Sequence, residues 1–201
     1  DWSSDVCSSD LMTDPQVYFV TMGLGLIAWS LTAGADFGAG VWDLLARGPR
    51  QTGQRAAVEK VIAPIWEANH VWLIFVIVVM FSVFPKAFGS IGIALHIPIT
   101  IALVGIVLRG AAFTFRAYGV SAQSHVWGRI FAVSSLFTPV VLGMCLGALA
   151  TGDIRIEEGR VTSGFLAGWL TPFAVLVGLL SLSLFMMLAA TYLAHESEGH
   201  V

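Results

Sequence analysis

Five runs of apolar residues, each long enough to cross a lipid bilayer as an α-helix, constrain the fold of this chain more than any other feature. A hydrocarbon core about 30 Å thick needs about 20 residues of helix. The predicted spans cover residues 17–35, 62–84, 87–108, 130–152 and 161–194. The last run is longer than a bilayer requires, so we expect its part before Pro172, residues 161–168, to lie at the interface or outside the membrane.

The composition agrees with a membrane protein. Hydrophobic residues make up 57% of the chain and charged residues only 11%, whereas a soluble domain has about 25% charged residues. Strand-like alternation is absent, and apolar helices satisfy their own backbone hydrogen bonds in lipid. We therefore predict an all-α integral membrane protein, a polytopic bundle of about five transmembrane helices. The net charge of −3 argues against a nucleic-acid-binding surface.

The first eleven residues stand apart from the membrane domain. Residues 1–11 read DWSSDVCSSDL and have neither the basic start nor the apolar core of a signal peptide. We expect a non-native or disordered leader there and a membrane domain over residues 12–201. Of the two cysteines, Cys7 lies in this leader and Cys145 in an apolar run, so neither a disulfide framework nor a cysteine-based zinc site is expected.

The distribution of basic residues predicts the orientation. The loops on one side, with the adjoining helix end, carry Arg47, Arg50, Arg55, Lys60, Arg109, Arg116 and Arg129. The opposite side carries only Lys86, Arg155 and Arg160. Because positively charged loops stay in the cytoplasm, we expect the first side to be cytoplasmic and the N-terminus to lie outside.

Ionisable groups inside a span are candidates for function, because each costs about 2.5–3.5 kcal/mol to insert. Glu67 and His70 lie in the second predicted span, three residues apart on one helical face. Burial favours the neutral forms of carboxyl and imidazole groups, so the two side chains form a candidate pair that passes protons or binds a cation. The alternative is a structural hydrogen-bond cluster, with Trp66 and Trp72 as packing and anchor residues.

Asp36 and Arg109 mark the cytoplasmic ends of the first and third predicted spans. We expect Asp36 either to line a cytoplasmic entrance together with Glu67 or to reach water past the neighbouring glycines. Arg109 is expected to pair with one of these acids or to extend its guanidinium to the interface, the commoner behaviour of arginine at a helix end. Arg109, Trp66 and Asn69 complete the candidate site as supporting and ion-pairing residues.

The histidines do not suggest a haem held by this chain. His70 lies in the cytoplasmic half of its span and His96 near the outer end of the next, whereas a shared haem needs ligands at matching depth. We expect no metal site and no directly bound cofactor.

Three blocks of sequence resemble subunit II of the cytochrome bd quinol oxidases. They are GADFGAG at residues 34–40, PIWEANHVWL at 64–73 with FP at 84–85, and LRGAAFTFR at 108–116. Family members are longer, so the resemblance indicates the N-terminal portion of a subunit.

The resemblance implies a haem-free subunit of a terminal oxidase that oxidises membrane quinol and reduces dioxygen to water. Haems and the quinol-oxidising loop would belong to subunit I, the expected partner in a bacterial cytoplasmic membrane, and a bound quinone or lipid is compatible with it. Glu67 and Asp36 match acids of the family, of which Glu67 is assigned to cytoplasmic proton uptake. Ala33 and Thr114 stand where many members have further acids, so fewer carboxylates remain for this route.

Two other functions stay open from the residues alone. One is a proton- or cation-coupled transporter that uses Glu67 and His70, and the other is a self-contained membrane cytochrome. Transporters often contain inverted repeats with broken helices, but Pro98, Pro139 and Pro172 fall in successive helices without a matched pair of halves.

Overall fold

Long helices and one short pair of antiparallel strands account for nearly all of the computed structural model, which describes residues 14–118, 124–157, 160–162, 164, 166 and 168–198. The elements are, in order, α1 (Pro15–Leu45), α2 (Gln51–Val83), α3 (Pro85–Ala94), α4 (His96–Tyr118), α5 (Ser124–Thr151), β1 (Ile156–Glu157), β2 (Arg160–Val161) and α6 (Pro172–Glu198). The predicted leader at residues 1–11, with Cys7, lies outside the described residues.

Five of the described helices are long and apolar enough to cross a membrane: Pro15–Leu45, Pro64–Val83, His96–Arg116, Val126–Thr151 and Pro172–His195. The predicted all-α membrane bundle is therefore confirmed. Ile156–Glu157 and Arg160–Val161 pair as antiparallel strands, and α6 begins only at Pro172. The segment before Pro172 is thus outside the fifth span, as its excess length indicated.

The third span differs from the prediction of residues 87–108. The helix is interrupted at Leu95, so that α3 ends at Ala94 and the spanning helix α4 begins at His96. Pro98 explains the break, because a proline inside a helix cannot donate to the carbonyl four residues earlier and its ring clashes with that group. Pro98 therefore stands in the first turn of α4 and does not interrupt it.

Two charged residues lie in helix interiors and not at helix ends. Arg109 lies inside α4, which continues to Tyr118, and Asp36 lies inside α1, which continues to Leu45. Both side chains are fully buried. The expectation that these residues mark the cytoplasmic ends of their spans is therefore wrong.

Glycines allow close approach at several helix crossings. Added Cβ atoms would contact α2 at Gly25, α5 at Gly105 and α6 at Gly143 and Gly147, whereas Gly23 has no neighbour within 4 Å. On α1, a Cβ at Gly38 would overlap the backbone carbonyl of Phe185, and a Cβ at Gly34 would overlap the side chain of Leu188. Gly34 and Gly38 thus form the small-xxx-small contact through which α1 approaches α6.

We expect Gly38→Ala to lower stability by about 1–3 kcal/mol, since the added methyl group meets backbone and the helices must separate. Thermal unfolding in mild detergent would measure the change. Gly23→Ala is the matched control on the same helix, and with open space around it it should leave the unfolding midpoint unchanged or raise it. Equal midpoints for the two variants would contradict the close crossing.

Candidate functional site

A buried ion pair connects α1 to α4 near the middle of the bundle. The Nη1 atom of Arg109 lies 2.7 Å from Oδ2 of Asp36, and the two side chains are 2% and 0% exposed. The Nη2 atom of Arg109 donates a second hydrogen bond, of 2.7 Å, to the backbone carbonyl of Asp36. The structure therefore selects the Asp36 partner from the alternatives for Arg109, and the guanidinium does not extend to the interface.

Two further helices hold this pair in place. The side-chain amide of Asn69 on α2 donates to Oδ2 of Asp36 over 3.1 Å, and Nε of Arg109 donates to Oγ of Ser135 on α5 over 2.9 Å. The guanidinium also lies between the rings of Phe37 and Phe131, 4.7 Å from each ring centre. Hydrogen bonds and cation–π contacts together compensate the cost of removing the charges from water.

Two oxygen atoms of this cluster are left over. Oδ1 of Asp36 and Oδ1 of Asn69 are buried and have no hydrogen-bond partner in the part of the chain that the structure describes. The cluster is therefore held firmly through one carboxylate oxygen, while the other remains an unused acceptor.

A second ion pair of the same kind lies seven residues further along both α1 and α4. Asp43 accepts two hydrogen bonds from Arg116, of 2.9 and 3.0 Å, and seven residues of helix correspond to about 10.5 Å. The ring of Phe131 lies between the pairs, 5.9 Å from the Arg116 guanidinium carbon. Arg55 and Glu59 of α2 surround this outer pair, at 3.9 Å from Asp43 and 3.8 Å from Arg116.

The sequence reasoning did not single out Asp43 or Ser135. One signal was available for Asp43, because Asp36 and Asp43 on one helix have the same seven-residue spacing as Arg109 and Arg116 on another. A seven-residue spacing returns to nearly the same helical face, so the two acids can meet the two arginines. Ser135 carried no comparable signal in its apolar span.

Glu67 lies on the outside of the bundle and not beside Asp36. Glu67 is exposed, whereas Asn69 is buried against Asp36. The side chains of residues two positions apart on a helix point in directions that differ by about 200°. Because Asn69 points inward, Glu67 points outward. The common entrance lined by Asp36 and Glu67 is therefore wrong, and so is the alternative that Asp36 reaches water, because its side chain is 0% exposed.

The predicted hydrogen bond between Glu67 and His70 is also absent from the described residues. The Nδ1 atom of His70 lies 2.7 Å from the carbonyl oxygen of Trp66, so the ring donates to backbone one turn earlier. The Trp66 ring contacts His70 at 4.9 Å and stacks on Phe113 at 5.8 Å between ring centres. Trp66 thus packs α2 against α4, while Glu67 has no ion pair or hydrogen bond with the described part of the chain.

Glu67 begins an exposed stripe along α2. The stripe follows the heptad spacing and continues through Val71, Ile74, Val78 and Phe81, which are 53–65% exposed. A carboxyl group facing lipid on such a surface would cost about 2.5–3.5 kcal/mol to insert. This surface, residues 67, 71, 74, 78 and 81, is called the α2 stripe below.

No haem ligand pair forms among the described histidines. His96 is the first residue of α4, at one end of its span, whereas His70 lies inside α2, 13 residues or about 20 Å before the end of that helix. His195 stands in the last turn of α6. In the described ranges, no three His, Cys, Asp or Glu side chains cluster in a way that would hold a metal ion. These residues do not fit a haem shared by His70 and His96.

Comparison with known proteins identifies a family. A family model described as "Cytochrome bd terminal oxidase subunit II" matches residues 14–201. "Cytochrome bd-I ubiquinol oxidase subunit 2" of Escherichia coli is 26% identical over 92% of this chain and 49% of its own length. "Cytochrome bd ubiquinol oxidase subunit 2" of Bacillus subtilis is 26% identical over 81% of this chain and 47% of its own length. The chain spans about half the length of the curated relatives it matches.

The fold has a counterpart among solved structures. The bd oxidase of Geobacillus thermodenitrificans contains a chain that superposes with a TM-score of 0.75 at 24% sequence identity. The match covers 89% of this chain and 54% of that one. These similarities do not favour the transporter alternative.

Proposed function

Because this chain belongs to the cytochrome bd terminal oxidase subunit II family, we propose that it is the haem-free subunit of a bd-type quinol oxidase in a bacterial cytoplasmic membrane. The complete enzyme would oxidise membrane quinol and reduce dioxygen to water. Haems and quinol chemistry are assigned to a partner, subunit I. The first loop would face the cytoplasm and the N-terminus the outside, in agreement with the distribution of basic residues.

The observation that best supports this proposal is the convergence of the three resembling blocks. Block 34–40 contributes Asp36, block 64–73 contributes Asn69, and block 108–116 contributes Arg109, and these three side chains meet in one hydrogen-bonded cluster. Segments distant in sequence thus carry the family pattern and also form one site. A coincidental likeness in apolar sequence would not require such a meeting.

The α2 stripe supports the assignment of a partner. An exposed carboxyl group on an apolar helix face is unfavourable in lipid, and burial against another protein removes that exposure. We assign the α2 stripe to the surface that subunit I covers. Quinone and lipid molecules would contact the remaining apolar exterior.

Within this assembly we propose that Glu67 and His70 carry protons taken up from the cytoplasm. Glu67 has no charged partner in the described part of the chain, so its carboxyl group is not held in an ion pair there. Asp36 has a different position, because the Arg109 guanidinium stabilises its carboxylate. Asp36 would hold α1, α2 and α4 together and would take part in proton transfer only through Oδ1. Ala33 and Thr114 have no carboxyl group; Ala33 is buried, and the Thr114 hydroxyl donates to the carbonyl of Gly110. Glu67 is therefore the principal carrier.

Purification of the full-length subunit from its source membranes tests the proposed function. With an affinity tag and mild detergent, we expect a second, larger polypeptide and haem bands in the reduced-minus-oxidised spectrum. The tagged subunit expressed without its partner is the control and should be colourless. A colourless preparation without a second polypeptide from the source membranes would refute the assignment.

A further inference from the structure

An open cleft of about 360 Å³ lies where four helices meet beyond the second ion pair. It is bounded by the end of α1, the start of α2, the end of α4 and the first turns of α5. The lining residues are Asp43, Leu44, Gln51, Arg55, Arg116, Gly128, Arg129 and Ala132. Its volume is within the range of about 300–1,000 Å³ that is typical of small-molecule sites.

Positive charge exceeds negative charge along this cleft. Three arginines, Arg55, Arg116 and Arg129, line it together with one acid, Asp43. Asp43 already accepts two hydrogen bonds from Arg116 and lies 3.9 Å from Nε of Arg55, so one carboxylate serves two guanidinium groups. Glu59 approaches Arg116 at 3.8 Å but does not line the cleft.

Arg129 is the residue that this network leaves unused. Its side chain is exposed at the cleft and has no ion pair or hydrogen bond with the described residues. A planar guanidinium group can form two parallel hydrogen bonds to one phosphate or carboxylate group. Among the described residues, the cleft therefore presents one anion-binding side chain without a partner, Arg129. It presents a second in Arg55, whose Nε donates to the backbone carbonyl of Asp43 over 3.4 Å and whose charge is only partly neutralised by the Asp43 carboxylate at 3.9 Å.

The helix ends that border the cleft add to the positive potential. Neither α2 nor α5 has an acidic residue in its first turn, and Arg50 makes no side-chain capping bond at the start of α2. The N-terminal end of a helix carries a partial positive charge that favours anions. Gln51, the first residue of α2, lines the cleft, so this end lies against the same space.

From this arrangement we propose that the cleft binds a phosphate group carrying one or two negative charges, between Arg129 and Arg55. The group would come from the headgroup of an anionic phospholipid or from a soluble phosphate. The cleft lies at the end of the bundle that carries most of the basic loop residues, and basic pockets between helices at a cytoplasmic membrane surface are suited to anionic headgroups. The site does not depend on the assignment as an oxidase subunit, since it rests on this chain's own residues.

Binding by the delipidated full-length protein, purified with any partner that accompanies it, tests the proposal. Isothermal titration calorimetry would use two probes separately, phosphatidylglycerol in mixed micelles and inorganic phosphate. We expect Arg129→Gln and Arg55→Gln each to weaken binding at least about tenfold, which corresponds to about 1.4 kcal/mol. Arg129→Lys keeps the charge but loses the two-pronged geometry and should give an intermediate Kd.

Arg47→Gln is the matched control, because Arg47 lies in the same loop region but does not line the cleft. It should leave the affinity unchanged. Binding of both probes that depends on Arg129 and Arg55 supports a site open to soluble phosphate, and binding of phosphatidylglycerol alone with the same dependence supports a lipid headgroup site. If neither probe binds, or if the Arg47 variant weakens binding as much as the others, the proposal is wrong. Thermal unfolding of each variant would check that its fold is intact.

Discussion

Arg109→Met is expected to destabilise the folded protein by about 3–5 kcal/mol, the largest loss among the changes considered. The substitution removes three hydrogen bonds and leaves the carboxylate of Asp36 fully buried without its counter-charge. Breaking one side of a buried pair costs this much because the remaining charge has neither water nor a partner. Unfolding of the purified protein in mild detergent, with heat or denaturant, would measure the loss.

Two further variants separate charge from packing. In Asp36→Leu combined with Arg109→Met, both charges are replaced by apolar groups, and most of the stability should return. Arg116→Met is the matched control on the same helix. Its loss should be smaller, because Asp43 keeps a second counter-charge in Arg55, whose Nε lies 3.9 Å from its carboxylate. Equal losses for Arg109→Met and Arg116→Met would show that the unpaired buried charge does not set the cost at the inner pair.

Glu67→Gln is expected to lower the turnover of the assembled oxidase about tenfold, equivalent to about 1.4 kcal/mol in the barrier, while assembly stays close to normal. The amide keeps the shape of the side chain but cannot carry a proton. Oxygen consumption with a quinol substrate, divided by the amount of assembled complex, is the measurement. This prediction depends on the proposed function.

Glu67→Asp provides the control for this prediction, because it retains an ionisable carboxyl group at the same place. Turnover of this variant should exceed that of Glu67→Gln. If the amount of complex and its turnover fall together in Glu67→Gln, and Glu67→Asp brings no recovery, the residue has a structural role in the α2 stripe. An unchanged turnover in Glu67→Gln would also remove it from the proton route.

The number and type of spans could be predicted because they depend on local sequence. Each helix is able to cross the membrane because its own residues are apolar, and its backbone hydrogen bonds are made within the helix. The start of the fifth span was predictable from the excess length of its apolar run, and α6 begins at Pro172. The third span was misplaced because its continuous hydropathy conceals the break that Pro98 imposes.

Three members of the candidate site were predictable, but Ser135 and the arrangement of the site were not. Asp36, Arg109 and Asn69 were identified as residues of interest, because polar groups in apolar spans are costly. Their meeting depends on how α1, α2 and α4 rotate about their own axes, and residue spacing along one helix carries no such information. Glu67 and His70 illustrate the limit, since their spacing suggested a hydrogen bond, whereas His70 donates to the carbonyl of Trp66.

The sequence by itself determined that this protein is a membrane bundle of apolar helices with a few ionisable residues in or beside its spans, and its three motif blocks indicated the family. Only the tertiary structure decided which charges are paired inside and which face outward. The physical reason is that transfer into lipid is a sum over the residues of each helix, while pairing depends on contacts between helices. Gly34 and Gly38 help to set one of these contacts, because they allow α6 to approach α1.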